Sequence, residues 1–372
     1  MSRTQPNLAY SGVTSPWTLS RLGGLNPAIV AVRHVTGSTW VVLDINHKLW
    51  RSTDNGATWA GPVTLPSVGT PDTGSIKSIG STIVIGTNDT DVNTSTDAGA
   101  TWAAHVISTS ISSNAIECSN SIFIAVGPDT ITGNARFFSS TDGITWTARL
   151  VSTDFQVGAR PRFGGSGIFV AVGAGSVAPF PSSATSPDGI TWTEHSTLPI
   201  DTLNGSFQYI QALEDGVNFY AFLLDNTGTQ KMGFSTDGFT WGLQSPLPTL
   251  PFASVGIEFL GGNYVLPIAD NNQVVVATVL NPWNGVLTSV PSSPNGATII
   301  VIDETGPTSN LRFFIQGAVG AGVPFVFTST NSSAWSQEDA HFIAGEGIID
   351  GTFGNGIFMV VGNNGKVSTR PA

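Results

Sequence analysis

The chain has 372 residues, of which only 10% are charged, and it carries 43 Gly and 22 Pro against 14 Lys+Arg and 25 Asp+Glu. A formal net charge of −11 repels a phosphate backbone, which excludes nucleic acid as a partner class. The wealth of Gly, Pro, Ser and Thr, with no long helical periodicity, points instead to many short strands and tight turns in an all-β fold.

Taken from the start, Met1-Ser2-Arg3-Thr4-Gln5-Pro6 lacks the apolar segment of a secretory signal. No later run is long enough to cross a bilayer, so synthesis in the cytoplasm without membrane insertion is expected. The lone Cys118 has no partner for an internal disulfide, and in Ala115-Ile116-Glu117-Cys118-Ser119 it reads as a small buried hydrophobe.

One stretch returns along the whole chain. After the fragment Ser15-Pro16-Trp17-Thr18, it is complete at Ser52-Thr53-Asp54-Asn55-Gly56-Ala57-Thr58-Trp59 and again at Ser95-Thr96-Asp97-Ala98-Gly99-Ala100-Thr101-Trp102. Three copies are one residue shorter: they carry Asp142, Gly143 and Trp146, then Asp188, Gly189 and Trp192, then Asp237, Gly238 and Trp241. Two are degraded, at Asn281-Pro282-Trp283-Asn284 and at Ser329-Thr330-Asn331-Ser332-Ser333-Ala334-Trp335.

Each copy has hairpin-turn chemistry: an Asp that accepts from nearby backbone N–H groups and a Gly able to take positive φ. The Thr-Trp that follows reads as the start of a strand whose ring packs between sheets. A catalytic group has no reason to recur in every unit, so these Asp residues read as structural.

The Trp positions recur every 42 to 52 residues from Trp17 to Trp335, the length of a four-stranded β-propeller blade. Between turns come short apolar runs bounded by Gly, such as 121–127, 167–173 and 356–362, as expected of central strands covered on both faces. After Trp335 the chain supplies Ile348-Ile349-Asp350-Gly351, 357–361 and Lys366-Val367-Ser368-Thr369, and a fourth strand is available only at Trp17-Thr18-Leu19. We therefore expect one propeller domain over 1–372, with a closing strand within 1–20 completing the last blade, 336–372. The count is eight blades, or seven if the unit around Trp283 is not a full blade.

The run Ser-x-Asp-x-Gly-x-Thr-Trp resembles the Asp-box, or bacterial neuraminidase repeat, of sialidase-like β-propellers. The resemblance implies the fold; the repeat occurs in hydrolases, binding proteins and assembly factors alike. Sialidase chemistry would imply an early Arg-Ile-Pro, an Arg trio, and a Tyr nucleophile paired with a Glu. The chain has no Arg-Ile-Pro; Arg160-Pro161-Arg162 lies in the fourth unit, and of Tyr10, Tyr209, Tyr220 and Tyr264, with Glu214 the nearest carboxylate of interest, Tyr209 and Tyr220 alternate with apolar neighbours and read as packing residues. No sialidase catalytic residue transfers.

The remaining candidates are sparse. His34, His47, His105, His195 and His341 have no ligand-like spacing, and Asn88-Asp89-Thr90-Asp91 and Asp270-Asn271-Asn272 fall where hairpin turns are expected, so no metal or cofactor is assigned. Variable loops at 173–181, which holds Phe180, and at 303–310 and 317–324 are the places for binding. In composition the chain is similar to phage and viral virion proteins. The expectation is a non-enzymatic interaction module of a tail, fibre or capsid-associated part, contacting other virion proteins or a cell-surface glycan and working in an assembly. The alternatives are a glycan-active hydrolase on the same scaffold and a cytoplasmic assembly factor.

Overall fold

The computed structural model describes residues 17–23, 27–67, 69, 71–111, 115–156, 161–164, 167–175, 181–195, 206–212, 219–224, 230–243, 258–260, 263–268, 273–277, 286–289, 313–317, 325–329, 336–343 and 346–371. Their strands fall into eight antiparallel units, met in chain order.

The first unit is Ile29–Thr36, Thr39–Asp44, Lys48–Ser52 and Ala60–Thr64. The second is Pro71–Ile79, Thr82–Thr87, Asp91–Ser95 and Ala103–Val106. Ala115–Cys118, Phe123–Pro128, Asn134–Ser140 and Thr147–Gln156 make the third, and Arg162–Gly164, Ile168–Gly175, Pro181–Ser186 and Thr193–His195 the fourth. These two join in one sheet because the long Thr147–Gln156 strand also pairs Phe155 with Gly175 and Gln156 with Ala174.

The fifth unit is Ser206–Ala212, Phe219–Leu224, Gln230–Ser235 and Gly242–Leu243. The sixth is Glu258–Leu260, Asn263–Ile268, Gln273–Ala277 and Val286–Ser289, a four-stranded sheet, so the described strands are consistent with eight blades. The seventh is described as three strands, Phe313–Gly317, Phe325–Ser329 and Ser336–Glu338. The eighth is composite: Ile348–Gly354, Ile357–Gly362 and Lys366–Pro371 are completed by the N-terminal strand Thr18–Arg21. Thr18 lies opposite Thr369 and Arg21 opposite Lys366 in that last pairing.

Where its side chains are described, the second strand of a unit is the most apolar because both its faces are covered. In Thr39–Asp44 every residue is buried, and in Phe123–Pro128 all but the last are. The core is accordingly a series of layers between blades. Met359 and Val361 pack on Val32 and Val42, Val41 and Leu43 on Ile83 and Ile85, and Val84 on Phe123 and Ala125. Ile124 and Phe137 pack on Phe169 and Ala171, and Val326 of the seventh unit meets Phe342 and Phe358 of the eighth. Each buried Val, Leu, Ile, Met or Phe side chain among them contributes about 1.5–3 kcal/mol. First strands of consecutive units touch one another from Ile348–Gly354 through Ile29–Thr36, Pro71–Ile79, Ala115–Cys118 and Arg162–Gly164 to Ser206–Ala212, which places them nearest the ring axis.

The ring is pinned where it closes. Glu338 accepts a hydrogen bond from Trp17 Nε1 at 2.8 Å and pairs with Arg370 Nε at 2.9 Å, so one carboxylate ties the seventh unit to both ends of the composite blade. Nearby, Lys366 and Glu346 form a fully buried ion pair, with the ammonium 6.0 Å from the Phe342 ring centre. Among the described residues no helix is long and apolar enough to cross a membrane.

Candidate functional site

The repeated turns set the geometry of everything on the ring's rim. In all five, the first Ser hydroxyl accepts the Gly amide at 2.8 Å. The same hydroxyl donates to the Asp carboxylate, at 2.8 Å for Asp54, Asp97 and Asp142, 3.1 Å for Asp188 and 2.9 Å for Asp237. The carboxylate then accepts the Thr amide ahead of the Trp, at 2.7–2.9 Å.

These bonds hold all five carboxyls below the usual range. For Asp54, Asp142 and Asp237 burial pushes the other way and the turn's hydrogen bonds together outweigh it. The Thr101 hydroxyl and amide take Asp97 down to about 2, and the Thr191 amide is the main hold on Asp188.

The Gly of each turn leans on the second strand of the preceding blade. A Cβ at Gly56 would stand 2.5 Å from Met359 Cε, at Gly99 3.1 Å from Val41 Cγ1, and at Gly143 2.7 Å from Val84 Cγ2. At Gly189 it would meet Ile124 Cδ1 at 2.6 Å and at Gly238 Val170 Cγ2 at 2.4 Å. The Trp rings close the same junctions: Trp59, Trp102, Trp192 and Trp241 donate Nε1 to their own turn's Gly carbonyl at 3.1–3.3 Å. Trp192 wedges between Phe137 and Phe169, at centroid distances of 4.4 and 6.3 Å, and Trp146 packs into the junction of Val84 with Phe123.

On the strands nearest the axis, charges pair across blade junctions. Arg33 meets Asp350 at 2.5 Å, and the Val32 amide donates to the same carboxylate at 2.8 Å. The buried Glu117 takes Lys77 at 2.7 Å and Arg162 at 3.5 Å, linking the second, third and fourth units. Sequence spacing gave no hint of these partners, which are far apart along the chain.

A second gathering lies on the rim. Because Ser183 Oγ donates to the Gly238 carbonyl at 2.9 Å, the fifth turn is seated on the fourth blade, and Phe239 comes to rest beside His195. The two rings stack at 4.9 Å with 26° between their planes, and His195 Nε2 lies 3.0 Å from Thr185 Oγ1. Thr185, Thr193, His195, Asp237 and Phe239 line a cavity of ≈ 360 Å³. Burial lowers the His195 pKa, against the opposing charge of Asp237. Sequence reading kept Asp237 as a turn residue and His195 as scattered, and missed Phe239. The signal was there: the residue after the turn Gly is Ile144, Ile190 and then Phe239 in the three short copies.

The other candidates disperse. His34 Nε2 bonds the Gly37 carbonyl, His47 Nδ1 the Ser67 carbonyl and His341 Nε2 the Trp17 carbonyl, while His105 lies on the outer strand of the second blade. Asp91 accepts from Ser67 Oγ and Asp89 from the Thr90 amide, and no three His, Cys, Asp or Glu side chains among the described residues are grouped to hold a metal. Cys118 is half-buried with Sγ 3.7 Å from the Ser78 carbonyl, and burial, then the Glu117 charge, push its thiol up to about 11. Tyr10, Arg160, Phe180, Glu214, Trp283, Trp335, 270–272, 303–310 and 318–324 lie outside the described residues, as do the side chains of Tyr209, Tyr220 and Tyr264.

No family model and no curated protein matches the chain. Solved structures do. The chain is similar to the Dos1 propeller (TM-score 0.67, 12% identity, 96% of this chain and 94% of that one) and to Saccharomyces cerevisiae Sqt1 (TM-score 0.63, 11% identity, 95% and 98%). It is also similar to YCF48 bound to a D1 peptide (TM-score 0.55, 16% identity, 99% and 100%). At these identities the likeness is one of fold, and the class it defines is the β-propeller.

Proposed function

We propose that the chain is a non-enzymatic interaction propeller of the Asp-box, sialidase-like kind. In this reading it is a structural part of a phage or viral particle, made in the host cytoplasm and built into the virion. There it joins other virion proteins in assembly or attaches the particle to a cell-surface glycan.

The observation that carries the reading is where the polar groups are committed. The turn carboxylates are taken up by their own turns' N–H and O–H groups, and the charges nearest the axis pair across blade junctions. The axial pairs hold blade to blade, and the turn carboxylates hold each turn in shape. Variation from copy to copy is left on the rim, where a rigid repeat presents it to a partner. The YCF48 ring, bound to a peptide, is an instance of the same architecture used to hold another chain.

The test is particle association. Particles released by lysis from the native producer are banded on a density gradient, and the chain is followed by mass spectrometry. Co-banding with the particle proteins supports the reading; recovery of the chain only in the soluble fractions overturns it.

A further inference from the structure

We propose that the cavity between the fourth blade and the fifth repeated turn is a subsite for one neutral hexopyranose ring of a glycan. This rests on the reading of the chain as an attachment propeller and names the chemistry that the rim would recognise.

The lining has the two parts such a ligand needs. Phe239 is 48% exposed, and with one part of its ring held on His195 the rest is presented to solvent as a platform for a sugar's C–H face. Around it stand the Thr185 hydroxyl and the His195 imidazole, 3.0 Å apart, and the Thr193 hydroxyl. Ile168 and Pro187 complete a lining that is mainly apolar, which suits the C–H face of a pyranose, while the hydroxyls at its edge each donate and accept and can take up the sugar's own hydroxyls. The Asp237 carboxylate in the wall and the chain's net charge of −11 oppose an anionic sugar, so the fitting class is neutral.

The corresponding sequence positions at earlier junctions hold different residues. The position of Phe239 is held by Ile144 and Ile190 in the two preceding short turns, and that of His195, third after the Trp, by His105 and Arg149. Arg149 is folded back on its own blade, with Nε donating to Ser139 Oγ at 2.7 Å. Among the described junctions, the fourth-to-fifth alone combines an aromatic platform with an imidazole and a hydroxyl. What the repeat keeps constant builds the ring; what it changes here builds a site.

The experiment is saturation-transfer difference NMR on the full chain with the methyl glycosides of glucose, galactose and mannose and with N-acetylglucosamine. It is run on wild type and on Phe239→Ala, Phe239→Trp and Ile190→Ala, each checked for an unchanged melting temperature. The proposal expects transfer to at least one sugar, weakened roughly tenfold in Phe239→Ala, kept in Phe239→Trp and unchanged in Ile190→Ala. It is overturned if no sugar receives saturation from the wild type, or if Phe239→Ala binds as the wild type does. Loss in Ile190→Ala equal to that in Phe239→Ala also overturns it. The parent reading is scored separately by particle association: co-banding without sugar binding sinks this subsite alone, and sugar binding without co-banding sinks the virion role alone.

Discussion

Gly238 illustrates what the repeated turn asks of a single residue. Its φ is +76°, and an added Cβ would lie 2.4 Å from Val170 Cγ2, so both backbone conformation and blade contact require hydrogen there. Gly80 has φ +59° with open space around it, so only the backbone term applies. Gly80→Ala is therefore expected to cost about 1 kcal/mol, and Gly238→Ala about 2–4 kcal/mol once crowding is added, read by denaturant unfolding. The turn carboxylates make a second prediction. A carboxyl depressed in the folded state stabilises above its unfolded pKa, and that contribution is lost as pH falls through the folded one. For Asp97 the window runs from about 4 down to about 2. Acid unfolding profiles of wild type and Asp97→Ala should converge at the bottom of that window and separate above it; profiles that stay parallel throughout would deny the turn's carboxylate this role.

At the scale of strands and blades, closure depends on Glu338. Its side chain holds Trp17 Nε1 and Arg370 together, and Trp17 in turn packs with Val326, Phe342 and Phe358. Glu338→Ala leaves the buried guanidinium without its carboxylate, and a loss of about 3 kcal/mol is expected, with Glu338→Gln milder. A melting curve within a degree of wild type would contradict this closure. Much of this scale was legible in the sequence. The Ser-Asp-Gly-Thr-Trp turns mark the third-to-fourth strand connections of the first five units, and the missing fourth strand after Lys366-Val367-Ser368-Thr369 pointed to Trp17-Thr18-Leu19, where the structure has Thr18–Arg21. Local patterning carries such information because turn chemistry and alternation act within a few residues. The ion pairs were not legible: Arg33 and Asp350 are 317 positions apart, and Glu117 finds Lys77 and Arg162 only after the blades have stacked. The His195–Phe239 stack was hidden for the same reason, since the fifth turn must be seated on the fourth blade before the two rings meet.

For the whole molecule, the layered core explains how one scaffold can be rigid and still vary at its rim. Each of the five described junctions beneath an intact turn is filled by second-strand side chains and closed by a turn Gly and Trp, so rim residues such as Ile144, Ile190 and Phe239 change without disturbing the layers beneath. Ile144→Ser and Ile190→Ser are accordingly expected to shift stability by less than about 0.5 kcal/mol while altering what the rim contacts. The central claim is that this ring holds a partner and does not transform it. The most direct measurement mixes the purified chain with bacterial envelope polysaccharide and follows two signals together, retention of the protein and appearance of new reducing ends. The account predicts retention with no reducing ends above the buffer control. Reducing ends that accumulate in proportion to protein concentration would contradict it and make the ring a glycan hydrolase.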